Sequence, residues 1–360
     1  MSDFLKHAID WLFEPTRYFI GSAILIWAVL KYRKFFSKPI VILVTFVAST
    51  IFFVWAFGDP NFHKIITKAD NIPILILLAG VIYFSWLALN QAVQNDERTK
   101  RGEPTIEAEL GKKKVFTWPD LVYTEFICLI LFTAALIVWS ILIEAPIEEP
   151  AASARTPNPS KAPWYFLGLQ ELLVYFDPWI AGVLLPGFII VGLCAIPYLD
   201  TNPKGNGYYT FEERPFAVSF FWVGFVLFWV LFVILGTFLR GPNWSFFGPF
   251  EYWDLHKLEP LVNIDLSTYF WVNLLGTPHP ESPFVREAPG IVLLLGYFFV
   301  LPPLLAKVGL KKLYEEMGFA RYNVFMHLML WFGLIPVKML LRWTVNLKYI
   351  VGMPEFFFNV

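Results

Sequence analysis

The sequence predicts an all-α protein that crosses a membrane about eight times, with a short helix lying in the interface near its N-terminus. Three observations predict it. Of 360 residues, 57% are hydrophobic and only 16% are charged, whereas a soluble domain carries roughly 25% charged residues. Mean hydropathy is +0.57. The apolar residues are gathered into runs close to the ~20 residues that an α-helix needs to cross a bilayer.

Taken in order, residues 2–16 place Phe4, Leu5, Ala8, Ile9, Trp11 and Leu12 at helical spacing, with Asp3, Lys6 and Asp10 between them. That pattern suits a helix lying flat in the interface. The first span is Tyr18–Leu30, and a basic turn of Lys31, Arg33, Lys34 and Lys38 follows. The second span, Ile40–Phe57, is ended by Gly58-Asp59-Pro60, because proline has no N–H to donate and restricts the residue before it. The third is Ile72–Val93. Residues 94–119 are the most polar part of the chain and read as an exposed linker. Beyond it come the spans Asp120–Ile143, Trp179–Pro197, Phe216–Phe238, Gly290–Ala306 and Tyr322–Leu341, with long loops at 144–178 and 239–289. In the second of these loops Arg240, Trp244 and Glu251 suit either a solvated surface or a docking surface for a soluble head.

Charge fixes the orientation. The loops joining spans 1–2, 3–4, 5–6 and 7–8 hold 16 Lys and Arg, and the other three loops hold 7. By the positive-inside rule the first set faces the cytoplasm. Both ends of the sequence and the loop 144–178 are then outside. The net charge of −1 predicts no nucleic-acid partner. No small-residue cleavage site follows the first apolar run, so no cleaved leader is expected.

Several chemistries find no support. Cys128 and Cys194 each lie in an apolar run and form no C-x-x-C-H or C-x-x-C pair, so they read as buried structural thiols. The histidines are His7, His63, His256, His279 and His327, and only His327 lies within a span. A bis-histidine haem b needs one His on each of two facing helices. No haem is therefore expected to be held by this chain alone, and no metal site is predicted. A transporter would call for paired charges at mid-depth or broken, repeated helices. The spans carry almost no charge besides Lys338, and no repeat is evident.

One stretch carries a resemblance. Residues 156–200 read TPNPSKAPWYFLGLQELLVYFDPWIAGVLLPGFIIVGLCAIPYLD. Trp118-Pro119 before Asp120-Leu121-Val122-Tyr123, Asn158-Pro159, Trp164-Tyr165, Asp177-Pro178-Trp179 and Arg214-Pro215 follow in the same order as landmarks of a known family. The region is similar to the C-terminal half of cytochrome b, called subunit IV where that protein is split. In that family the motif P-E-W-Y ends a loop at the quinol-oxidation site, and its Glu takes a proton from quinol. The aligned residues here are Ala162-Pro163-Trp164-Tyr165, so the aromatic pair is kept and the Glu is lost.

The resemblance divides the chain into an extra N-terminal membrane part (1–115), a cytochrome b C-terminal-like part (116–310) and an extra span with a tail (311–360). It implies a membrane subunit of a quinol:cytochrome c, or related acceptor, oxidoreductase in a bacterial cytoplasmic membrane, inactive on its own. It also implies a quinone pocket walled by Pro163, Trp164, Tyr165, Phe166 and Gly168. The implied partners are a subunit of the cytochrome b N-terminal type that holds haem b, a Rieske 2Fe-2S protein and a c-type cytochrome, in a dimer of the complex. The rival reading is a non-catalytic anchor for a larger respiratory complex.

The lost Glu needs a replacement if quinol is to be oxidised. Pro163 has no titratable group, Lys161 is protonated at neutral pH, and Asp177 stands where a helix cap is expected. Glu171 lies seven residues after Trp164, about two helical turns, so both share one face at roughly 10 Å. Gly168 lies between them and leaves room. Glu171 is accordingly the predicted proton acceptor, with Tyr165 lining the same pocket.

Overall fold

The computed structural model describes residues 2–144, 150, 152–154, 156–205, 207–259 and 262–360. The chain is a multi-pass helical membrane protein. Among the described residues, seven helices are long and apolar enough to cross a membrane. In lipid a helix is the one open-ended structure that satisfies every backbone N–H and C=O within itself.

Two compact units form. The first combines residues Met1–Ser160 with Lys204–Lys257, and the second combines Lys161–Pro203 with Leu258–Val360. In the first unit lie α1 (Ser2–Phe13), α2 (Pro15–Lys31), α3 (Pro39–Ala56), α4 (Asn71–Lys100) and α5 (Thr117–Leu142). Helix α1 keeps Phe4, Leu5, Trp11 and Leu12 exposed, as an interfacial helix would. Its polar face is tied down. Lys6 pairs with Asp59 at 2.6 Å, and Asp10 accepts the N–H of Phe250 at 2.9 Å. Asp59 also caps the short helix Pro60–Ile66 by accepting the N–H groups of Asn61 and Phe62, a contribution of about 1 kcal/mol.

The first expected span is the 17-residue helix α2. At 1.5 Å per residue it measures about 26 Å, slightly less than the ~30 Å hydrocarbon core. It is not among the seven. Helix α8 (Pro215–Leu239) completes this unit. It buries Leu227, Phe228, Leu231, Phe232, Val233 and Leu235, and Phe228 meets Phe19 of α2 at 5.6 Å. Helix α5 differs, since none of its residues is buried.

The polar stretch 94–119 is not simply an exposed linker. Helix α4 runs on to Lys100, and Ile106–Leu110 forms one further helical turn. Asn95 is fully buried. It donates to Glu107 at 2.7 Å and to the Tyr209 carbonyl at 2.9 Å, and it accepts the N–H of Ile106. Asp96 accepts the N–H groups of Phe211 and Glu212, both at 3.1 Å. Glu212 in turn meets Lys100 at 2.6 Å and Arg33 at 3.4 Å. Buried polar groups cost several kcal/mol unless they are bonded. The polarity that suggests a linker in sequence therefore serves a hydrogen-bonded cap.

The second unit holds α6 (Trp164–Leu172), α7 (Ile180–Leu199), α9 (Ala288–Val308), α10 (Lys311–Val345) and a two-stranded ribbon, β1 (Gly352–Met353) with β2 (Phe358–Asn359). Helix α10 packs on α7 and α9. Phe188, Phe298 and Trp331 stack there, with Trp331 5.0 and 4.9 Å from its two partners. His327 lies against Phe298, with Nδ1 2.7 Å from the Asn323 carbonyl. That is the environment of a hydrogen-bonded core residue.

Candidate functional site

The candidate site is α6 and the turn that leads from it into α7. Pro163 stands at the N-cap, with the fixed backbone angle that suits a helix start. Gln170 reaches back along the helix, and its Oε1 accepts the N–H of Ala162 at 2.8 Å. One side chain thereby ties the end of the loop to the body of the helix. After Leu172 the chain turns through Tyr175 and Phe176, both buried. Asp177 then caps α7, with Oδ1 3.3 Å from the N–H of Trp179. The helix-capping account of Asp177 is thus the observed one.

Helix geometry sorts the predicted residues into two groups. Trp164, Gly168 and Glu171 fall within about 60° of one another around the axis. On this side Gly168 is buried, Trp164 is partly buried, and Glu171 has 0% of its surface exposed. Leu167, about 40° from Glu171, is buried on the same side. Tyr165 and Phe166 lie about 120–140° away from Glu171. They are half exposed, and their rings lie 4.7 Å apart. Pro163 is exposed with them. The structure therefore joins Trp164, Gly168 and Glu171 on the inner face. It sets Tyr165, Phe166 and Pro163 on an outer aromatic face, so Tyr165 does not share Glu171's side of the helix.

Chemically, a carboxylate with no exposed surface is uncommon in a membrane protein, and ionisable groups there often mark functional sites. The outer aromatic face offers flat, apolar surface against which a ring can lie. Among the described residues no three His, Cys, Asp or Glu side chains converge as metal ligands. A cavity of about 760 Å³ lies within the first unit, beside Glu107, Tyr208, Tyr209 and Arg214. None of the predicted site residues lines it.

Comparison with known proteins matches the part of the chain that holds the landmarks from Asn158-Pro159 to Arg214-Pro215. The family described as Cytochrome b(C-terminal)/b6/petD matches residues 150–250. Residues 150–250 are therefore similar to the C-terminal part of cytochrome b. Cytochrome b/c1 of Bradyrhizobium diazoefficiens is 28% identical over 188 residues, 51% of this chain. The aligned part spans about a quarter of that relative's length, 26%. No solved structure matches. The matched residues contain the whole of α6, α7 and α8.

Three residues next to the site were not singled out as site residues in the sequence. Lys348 donates to the carbonyls of Leu173 and Val174 at 2.8 and 3.1 Å. Asn359 donates to Asp177 at 3.0 Å. Lys338, fully buried, lies over the Phe176 ring at 5.6 Å. Of these only Lys338 has a local signal, a lone charge within an apolar span.

The loop after α8 in the first unit is folded as well. Arg240 is buried and donates to the Trp244 carbonyl at 3.1 Å. Glu251 accepts from the N–H of Gly248 and from Lys257. Asn243 and Asn158 hold each other by two bonds of 2.9 and 2.6 Å. The Asn158-Pro159 landmark is thus pinned to this loop.

Proposed function

We propose that this chain is a membrane subunit of a bc-type quinol:acceptor oxidoreductase and forms one wall of the outer-side quinol-oxidation site. The observation that carries the reading is Glu171, a fully buried carboxylate on the Trp164–Gly168 face of α6, inside the cytochrome b C-terminal region. Quinol loses two protons and two electrons on becoming quinone. Glu171 accepts one proton from a quinol hydroxyl as general base, and the other leaves to the outer aqueous side. Tyr165 and Phe166 border the approach with their exposed rings. The electrons pass to centres in partner subunits: a Rieske 2Fe-2S protein and a haem b subunit of the cytochrome b N-terminal type, with a c-type cytochrome as the onward acceptor. The complex is a dimer in a bacterial cytoplasmic membrane. Helix α5, with no buried residue of its own, supplies apolar surface to the haem subunit.

A second reading, a non-catalytic anchor, is favoured by the same burial. Glu171 exposes no atom, so quinol reaches it only after a side-chain rotation or through a water. One purification separates the readings. The complex isolated from its own membranes should contain b-type haem and a Rieske centre, and it should oxidise quinol at a rate that depends on this chain. A complex without haem b, or one whose quinol turnover survives loss of the chain, overturns the proposal. The chain purified alone should show no b-type band in a reduced spectrum, because His327 is the sole histidine of its spans.

Topology gives an independent check. The 16-to-7 bias in basic residues places Glu103 inside and Ser153 outside. Reporter fusions at these positions should respond oppositely. A cytoplasmic signal from Ser153 would put the α6 loop on the wrong side of the membrane for this reaction. Both ends lie outside only if α2 also spans, and a fusion at Ser2 reads that directly.

A further inference from the structure

The C-terminal tail, residues 346–360, lies outside the cytochrome b C-terminal region, yet it is built into the second unit as firmly as a core element. Leu347, Ile350, Val351, Met353 and Val360 are buried. The tail is anchored on two sides. Lys348 donates its N–H to the Ile264 carbonyl, and Leu266 donates to the Tyr349 carbonyl, both at 2.9 Å. The Gly352 N–H meets Glu287 at 3.0 Å, and Arg286 donates to the Gly352 carbonyl at 3.2 Å and pairs with Glu355 at 3.1 Å. The ribbon closes with Val360 donating to Val351 at 2.9 Å.

From this anchored tail two polar side chains reach out, and both end on the turn that joins α6 to α7. Lys348 meets the carbonyls of Leu173 and Val174, and Asn359 meets Asp177. Phe358 also lies beside Trp179, at 6.1 Å. Carbonyls just past the end of a helix have no N–H from the next turn to bond, and a cation there is favoured by the helix dipole. Burial, with Arg342 nearby, pulls the Lys348 amine down to about 8, while Asp177 and Asp265 push the other way. At neutral pH the amine is mainly charged, so its bonds are of the stronger, charge-assisted kind. Lys338 completes the support by donating to the Lys348 carbonyl at 2.5 Å from within α10.

We propose that the C-terminal tail is a brace that fixes the α6–α7 turn and so sets where α6 presents Glu171, with Lys348 and Asn359 as its positioning residues. The brace rests on the site reading only for its consequence in turnover. Its mechanical part stands by itself. A tail that needed only to bury its own apolar residues would dock without polar bonds that converge on residues 173–177.

The test uses Lys348→Met, Lys348→Arg and Asn359→Ala in the complex purified from its own membranes. Amide hydrogen exchange of Leu173, Val174, Tyr175 and Phe176 should quicken about tenfold in Lys348→Met, the effect of losing a charged hydrogen bond. Lys348→Arg should restore the slow exchange. The kcat for quinol should fall about tenfold in Lys348→Met, since a small displacement of an acting group is costly, with KM changed by less than about twofold because quinol binding is untouched. Unchanged exchange in both Lys348→Met and Asn359→Ala overturns the brace. Quickened exchange with unchanged kcat upholds the brace and counts against Glu171 as the acting group, which the Glu171→Gln variant then decides separately. Asn359→Ala removes a single bond to a partly buried aspartate and serves as the readout if Lys348→Met fails to assemble.

Discussion

Glu171→Gln should lower quinol:acceptor turnover in the assembled complex at least about tenfold, the low end of a general-base contribution. The substitution keeps the size and most of the hydrogen bonding of the side chain and removes its ability to take a proton at neutral pH. The side chain has no exposed surface. Gln matches Glu in size and shape, so the complex should still assemble. Haem content and subunit composition therefore stay at wild-type levels, and the loss lies in kcat. Since one face of α6 carries Trp164 and Gly168 with Glu171, Trp164→Phe should act in the same direction but more weakly. Turnover of Glu171→Gln close to wild type between pH 6 and 8 would remove the residue from the mechanism and leave the chain as an anchor.

The legible part of this fold is the part set by local rules. Apolar runs such as Pro39–Ala56 and Ala288–Val308 are visible because lipid admits few alternatives to a helix. The start of α6 at Trp164 is visible because Pro163 precedes it, and the common face of Trp164, Gly168 and Glu171 follows from a spacing of seven. Tyr165 is where the reading and the structure part. Adjacent in sequence to Trp164, it is rotated by about 100° around the helix, and the motif places it by order and not by face. Residues 94–119 look like a linker because part of their polarity is satisfied only by distant residues. Asn95 and Asp96 find their partners at Tyr209, Phe211 and Glu212, more than a hundred positions on. The tail is hidden for the same reason. Lys348 and Asn359 act on residues 173–177, and no periodicity links segments so far apart. What sequence withholds here is long-range pairing of polar groups, and in the second unit that pairing is what holds the site.

Gly290→Ala should dislodge the C-terminal tail. In an exposed helix the change would help by up to about 1 kcal/mol, since alanine is the better helix former. Here the glycine stands in the first turn of α9 and is buried against the tail. A Cβ at this position would fall inside the van der Waals shell of the Ile350 carbonyl oxygen, with the Ile350 carbonyl carbon and Val351 Cγ2 each at 2.9 Å. The obstacle is mainly backbone, which cannot rotate away as a side-chain end can. Overpacking of this kind costs typically 1–3 kcal/mol and at times more, and at a backbone carbonyl the upper end applies. The clash therefore outweighs the helix gain. Ile350 lies between Lys348 and Gly352, whose bonds hold the tail to the α6–α7 turn and to Glu287, so relief by moving the strand breaks both. Limited proteolysis of the purified complex should release a fragment cut within residues 346–360 at least about tenfold faster than in wild type, with the seven spans intact, because local opening governs cleavage when reclosing is fast. A tail as resistant as wild type in Gly290→Ala would mean that α9 and the tail do not approach this closely. The effect should extend to quinol turnover through the same loosening of the turn that Lys348→Met produces.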